Sequence, residues 1–304
     1  MKRSSCIALL ISLLFLFTFT VNAQYVTQQV GAAGSIDWSN QVIRAVGIGA
    51  PNPNLPASAA RAGALRAAKI DAQRNLLETL KGVNLTSETT VENAIVTRDI
   101  IVTRVEGVLR NFRQVDQPRY MSTGDVEVTV EMLVTGDLLN ELLPGQFGGG
   151  TYAAAGQPLC PTCGQPWPAN KPVPPGVTLQ TTTGTPASMG GAVYTGLIVD
   201  ARGLGLRPAM APKILDENDN EVYGSRFVSR EWAVKIGMVG YDKDVNRART
   251  NDRVTNNPLI VRGTKTSGPN KADVVVSSAD AANIHAAATT QKFLDQCRVM
   301  FIVD

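Results

Sequence analysis

AGALRAAKIDAQRNLLETLKGV, residues 62–83, carries a helical period that organises the first half of this 304-residue chain. At about 100° per residue, Ala64, Ala68, Ala72, Leu76 and Leu80 form one i, i+4 ridge with Leu65 beside it. A ridge of this kind packs on a sheet. A second, looser apolar line runs through Ala67, Ile70 and Leu77, about a third of a turn away. It implies that either the core wraps round the helix or a second surface, a neighbouring domain or a partner, covers the extra side. Arg74 lies three residues after Asp71 and four before Glu78, within reach of both, which reads the charges as a solvated face with local pairs. Arg61, Arg66 and Lys69 are the positions an anionic partner would use, the lesser reading.

Upstream, QVIRAVGIGA (41–50) reads as a strand stopped by PNPNLP (51–56), with Ser58 or a near neighbour starting the helix. Gly82 after Lys81 suits its end. Downstream, VNLTSETTV (83–91) and the β-branched IVTRDIIVTRVEGVL (95–109) suggest extended structure, although periodicity leaves a short helix within 92–104 open. GDVEVTVEMLV (124–134) alternates Val126, Val128, Val130 and Met132 with polar residues, a strand with one wet face. The expected first half is α+β, a long helix across a small, mainly antiparallel sheet.

Residues 144–192 are dense in Pro, Gly and Thr and read as a linker. It separates domain-sized segments, 24–143 and 193–304. In the second, expected to be an α/β domain, AVYTGLIVDA (192–201) is a buried strand, and PKILDENDNEVYG (212–224) is two strands joined by an acidic turn. NPLIVRGTK, KADVVVS and RVMFIVD are further strands, and SADAANIHAAATTQKFLDQC is a helix capped by Ser277 or Ser278. Strand, helix, strand in that order suggests a crossover and a parallel pair. Residues 240–257 read as a polar surface loop.

Lys2 and Arg3 precede the apolar run IALLISLLFLFTF, and Val21-Asn22-Ala23 supplies small residues for cleavage, so residues 1–23 read as a signal peptide. The run is shorter than the ~20 residues that span a bilayer, and no later stretch reaches that length. The mature chain is expected in the periplasm or at the outer-membrane periphery of a bacterium. Loss of Lys2 and Arg3 lowers the formal charge from +3 to +1, which argues against a nucleic-acid partner.

RAAKIDAQRNLLETLKGVNLTSETTVEN (66–93), followed by VEGVLRNFRQVD (105–116) and DVEVTVEMLV (125–134), resembles the LPP-twenty outer-membrane lipoprotein family and the related N-terminal domain of flagellar assembly protein T. The resemblance spans roughly residues 40–143. It implies an envelope protein of structural or assembly role, in the outer membrane or at the flagellar base, with envelope proteins or further copies of itself as partners. No catalytic residues come with it. The cysteine that carries lipid in the lipoproteins has no counterpart here.

Cys160-Pro-Thr-Cys163-Gly164 is the sharpest local motif. Haem attachment needs His where Gly164 stands, and the surrounding prolines argue against the helix start of a thioredoxin-like site. In an oxidising compartment a disulfide of Cys160 and Cys163 is the first reading; a zinc site shared by two chains and free thiols stay open. Cys297 reads as a small buried residue. Asp216-Glu-Asn-Asp-Asn-Glu221 lacks the glycine and glutamate of a calcium loop, Gly203-Leu-Gly205 lacks the third glycine of a dinucleotide fingerprint, and the single His285 sits among alanines with no nucleophile elbow. The sequence expectation is therefore a non-enzymatic structural or assembly protein without cofactor. A periplasmic or secreted glycan- or protein-binding module is the alternative, and an exported hydrolase using carboxylates, which need no local motif, a third.

Overall fold

The computed structural model describes residues 25–96, 99–143, 145–150, 158–162, 167–168, 171–181 and 193–304. It is an α+β protein with a long helix packed on an antiparallel sheet, followed by a second, mixed sheet. The leader, Cys163 and most of the Pro/Gly/Thr-rich stretch lie outside the described residues.

Strands β1 (Thr27–Val30), β2 (Gly34–Asp37) and β3 (Val42–Gly49) form an antiparallel meander. Helix α1 (Ala57–Lys81) follows, beginning at Ala57, next to Ser58, with Pro56 in the N-cap position. All five ridge residues of α1, Ala64, Ala68, Ala72, Leu76 and Leu80, are fully buried. Each buried leucine contributes about 1.5–3 kcal/mol, whereas the alanines let the helix come close. Opposite them the strand offers glycine: a Cβ on Gly47 would lie 2.1 Å from the backbone N of Ala72, and one on Gly49 would lie 2.1 Å from the carbonyl oxygen of Ala64. Alanine against glycine thus sets the helix down almost on the strand backbone.

Ile70 on the second apolar line is 62% exposed and Ala67 is exposed, so the core does not wrap round the helix. Nor does Arg74 bridge its neighbours. Asp71 accepts from the backbone N of Ile48 and from Asn75, and Glu78 pairs with Lys81.

The described residues of the β-branched run are helical, the alternative left open within 92–104, and not extended: α2 (Val91–Val96) and α3 (Asp99–Leu109). Val91, Ala94 and Ile95, then Val105 and Leu109, are buried at i, i+3 and i+4 spacing, so tertiary burial of that stripe overrides the strand propensity of Val and Ile. Residues 83–90 are a loop held by a bridge between Asn84 and Thr90.

Short strands β4 (Arg113–Gln114) and β5 (Arg119–Tyr120) pair with β6 (Val126–Leu133), which lies along β3. Val126, Val128 and Val130 face the helix, while Glu127 and Thr129 share the other face with Arg44 and Ile48. Helix α4 (Asp137–Leu142) buries Leu138, Leu139 and Leu142.

In the intervening segment β7 (Pro158–Leu159) pairs with β8 (Gln180–Thr181). The second sheet contains β9 (Gly196–Asp200), β10 (Ile214–Leu215), β11 (Glu221–Tyr223), β12 (Gly240–Asp242), β13 (Pro258–Ser267), β14 (Asp273–Val276) and β15 (Val299–Ile302), in the order β11-β10-β14-β13-β9-β15-β12. β13, β9, β15 and β12 run parallel, as do β10 and β14. Its helices are α5 (Arg230–Ile236), α6 (Val245–Arg249) and α7 (Ser278–Thr290), the last capped by Ser277 accepting from the backbone N of Asp280. The crossover from β14 through α7 to β15 does not make a neighbouring parallel pair, because β13 and β9 stand between them.

Leu197, Val199, Val299 and Phe301 face the main core while Ile198, Met300 and Ile302 join a smaller cluster beneath α6, so β9 and β15 are apolar on both faces. Residues 240–257 are not a surface loop: β12 and α6 occupy them, and Tyr241, Ala248 and Val254 are buried. The acidic turn between β10 and β11 is closed by Asp216, whose carboxylate accepts from the backbone N of Asn218 and Asn220 and from the Asn220 amide.

The two halves share one apolar cluster. Trp38 of the first stacks edge-on against Tyr241 of the second, ring centroids 5.5 Å apart. Backbone N–H groups of Met210 and Ala211 donate to Asn84 and Leu85, Gly136 donates to Val234, and Asn270 donates to Ser87. Ser87 also donates to Asp273 at 2.5 Å.

Candidate functional site

The turn between β2 and β3 is shaped by Asp37, whose carboxylate accepts from the backbone N and the side-chain amide of Asn40. It projects Ser39 and Gln41 onto the backbone leading into edge strand β12, where Ser39 donates to the carbonyl of Tyr241 and Gln41 to that of Val239, both at 3.1 Å. Side-chain donors from one half thereby cover an open edge of the other half's sheet. Helix α5 ends beside them at Gly237, which has φ 80°; a Cβ there would be strained and would lie 2.5 Å from Nε2 of Gln41.

Between this turn, α5, β12 and the loop before β15 lies a crevice of about 430 Å³. Its walls include Gln41, Trp232, Lys235, Tyr241, Asn251, Asp252, Arg253, Gln296 and Arg298. Arg253 crosses the base. One terminal nitrogen donates to the carbonyls of Gly237 and Cys297 at 3.0 and 2.9 Å, and the other donates to that of Ile236. Gly240 makes room for it, since a Cβ there would lie 3.0 Å from the Arg253 Nε. Burial lowers the pKa of this guanidinium from the usual arginine value. Lys235 lies over the Trp232 ring, 5.1 Å from its centroid.

The sheet's opposite end is balanced differently. Where β9 and β12 terminate, Asp200 pairs with Arg202 and Asp242 with Arg247, each at 2.6 Å. Hydrogen bonds from Arg202 hold the Asp200 carboxyl below its ordinary value. The carboxyl ends of parallel strands are where open α/β sheets commonly bind ligands, yet here those charges are matched.

A larger cavity of about 520 Å³ lies between β6, α3 and α4. Two of its charged groups are engaged: Glu131 pairs with Arg44 at 2.9 Å and also with Arg113. Burial alone would raise the Glu131 pKa, but hydrogen bonds from Arg113 and Arg44 outweigh it and lower the value.

Of the residues singled out from sequence, His285 is buried, its Nε2 lies 3.0 Å from the carbonyl of Val222, and burial lowers its pKa. Cys297 is buried with its thiol pushed up to about 12 by desolvation, and its backbone sits in the left-handed region at φ 55°. Cys160 follows β7, and Cys163, its expected disulfide or zinc partner, lies outside the described residues. No cluster of three metal-ligating side chains occurs among the described residues. Gly203 and Gly205 are turn residues with φ 78° and 65°. The crevice residues were missed by sequence reasoning because they come from five separate segments, and Arg253 lies within the stretch read as a polar loop. No motif links them.

Residues 196–304 match a family model described as the second domain of Treponema pallidum Tp0624. The match begins at the first residue of β9 and takes in the whole seven-stranded sheet, with every crevice residue except those of the Ser39–Gln41 turn. No curated protein matches the chain.

Proposed function

We propose that this protein is a non-enzymatic structural or assembly component of the bacterial cell envelope, exported by its leader and held at the outer-membrane periphery or the flagellar base. The observation that carries the reading is the joining of the two halves by a common apolar cluster and backbone hydrogen bonds, which gives partners a fixed pair of surfaces to assemble on. The resemblance of residues 40–143 to the LPP-twenty family and to the flagellar assembly domain supports it. So does the engagement of His285, Cys297 and Glu131 in structural contacts. The partners are envelope proteins or further copies of the chain, with neither nucleic acid nor cofactor.

Envelope fractionation combined with deletion of the gene tests this. Mature protein is expected in the periplasmic or outer-membrane fraction, and recovery from the cytoplasm overturns the proposal; normal motility of the deletion strain removes its flagellar version.

A second reading, a glycan- or protein-binding module, is favoured by the seam crevice, since ligand sites gather where domains meet. Saturable binding of the purified protein to isolated cell-wall material is its test, and failure to saturate removes it.

A further inference from the structure

We infer that the seam crevice binds an acidic saccharide, with the ligand's carboxylate or phosphate set against Lys235 and Arg298 and its hydroxyls against the neighbouring amides. The inference rests on the binding-module reading. Its first support is an imbalance of charge: Lys235, Arg253 and Arg298 line the crevice against the single carboxylate of Asp252. None of the three cations makes an ion pair among the described residues, whereas Arg202 and Arg247 at the other end of the same sheet are each matched by an aspartate. Like charges gathered in a concavity with low-dielectric walls repel one another and focus a positive potential, which an entering anion relieves.

The second support is preorganisation. Arg253 is held by the carbonyls of Ile236, Gly237 and Cys297, leaving it as a fixed charge at the base. Lys235 is steadied over the Trp232 ring, so less freedom is lost when it meets an anion. Arg298 keeps a guanidinium that suits bidentate contact with carboxylate or phosphate oxygens. The third support is the rest of the lining: amides such as Gln296 both donate and accept, which suits hydroxyls better than an apolar ligand. A volume of about 430 Å³ falls within the range of small-ligand sites.

Calorimetric titration of the mature chain with D-glucuronate, glucose 6-phosphate, inorganic phosphate and glucose tests the inference. Glucuronate or glucose 6-phosphate is expected to bind, weakening as salt is raised, with glucose silent; which acid binds identifies the anionic group. Lys235→Gln and Arg298→Gln are each expected to weaken binding about tenfold or more, the ordinary effect of losing a charge-assisted hydrogen bond. Neither side chain makes a hydrogen bond or ion pair among the described residues, so unchanged melting temperatures are expected. Three results overturn the inference: no binding of either acid, equal binding of inorganic phosphate and glucose 6-phosphate, or unaltered affinity in both variants. Because the titration uses purified protein, its failure is separate from that of the cell-wall assay and of the fractionation.

Discussion

Replacing Gly47 by alanine sets two effects of opposite sign against each other. In an open strand the change stabilises by about 0.4–1 kcal/mol, because alanine narrows the unfolded ensemble. Here the added Cβ would lie 2.1 Å from the backbone N of Ala72 and 2.3 Å from the carbonyl oxygen of Ala68. Neither atom belongs to a side chain that can rotate away. The helix must withdraw by about 1 Å to restore ordinary contact, which loosens the packing of the ridge from Ala64 to Leu80. Overpacking against a close-fitted core costs about 1–3 kcal/mol, and obstruction by backbone belongs at the upper end. The steric effect therefore wins by about 2 kcal/mol, a drop in melting temperature of roughly 4–8 °C. Gly63 in α1 is the control, because nothing lies within 4 Å of its Cβ position. Gly63→Ala should gain the helix-propensity difference of about 0.8–1 kcal/mol and melt higher. Thermal unfolding followed by circular dichroism reads both variants. A Gly47→Ala protein that melts at or above the parent temperature would refute the argument that glycine is what seats this helix.

On the same helix, Leu76→Ala is expected to cost about 2–5 kcal/mol in chemical denaturation, whereas Ile70→Ala, at a position 62% exposed, should stay within about 0.5 kcal/mol; similar losses would mean the helix is rotated. Asp273 is buried at the seam, and desolvation raises its pKa above 3.8 despite hydrogen bonds from Ser87 and the Lys213 backbone. A raised carboxyl contributes stability that is full below the unfolded value and is lost as pH rises through the folded one. Asp273→Asn keeps an acceptor for Lys213 and a contact for Ser87 but cannot titrate. Its stability relative to the parent should therefore climb as pH increases from about 4, and a pH-independent difference in urea midpoints would dismiss the desolvated carboxylate. Finally, Cys160→Ser should abolish any disulfide-linked species on a non-reducing gel, while stoichiometric zinc in the purified protein would replace the disulfide reading of Cys160 and Cys163.

Periodicity was a sufficient guide wherever one local pattern had one partner. The ridge in α1 and the alternation of Val126, Val128 and Val130 place their elements because burial on a single face imposes the repeat directly on the residues. The pattern misled where chain-distant packing chose between states of similar local energy. The Val- and Ile-rich run around residue 95 became two helices once its i, i+3 and i+4 stripe was buried, and residues 240–257 became an edge strand and a helix. In the latter, Tyr241 gained Trp38 as a cover and its hydroxyl donates to Ala209, partners 203 and 32 residues away.

The candidate site was illegible for a related reason. Lys235, Arg253 and Arg298 are ordinary surface letters in sequence, and only the register of β12 beside β15, together with docking of the Ser39–Gln41 turn, brings them round one crevice.

The α+β class, the long helix with its buried ridge, and the longest strands, β3, β6 and β13, were legible in the residues alone, since these follow from repeats within ten to twenty consecutive residues. The strand order of the second sheet, the joining of the halves through Trp38 and Tyr241, and the unmatched charges of the seam emerge only in three dimensions. Those depend on contacts between residues far apart in the chain, whose closure is governed by the packing of the whole and leaves no local period to read.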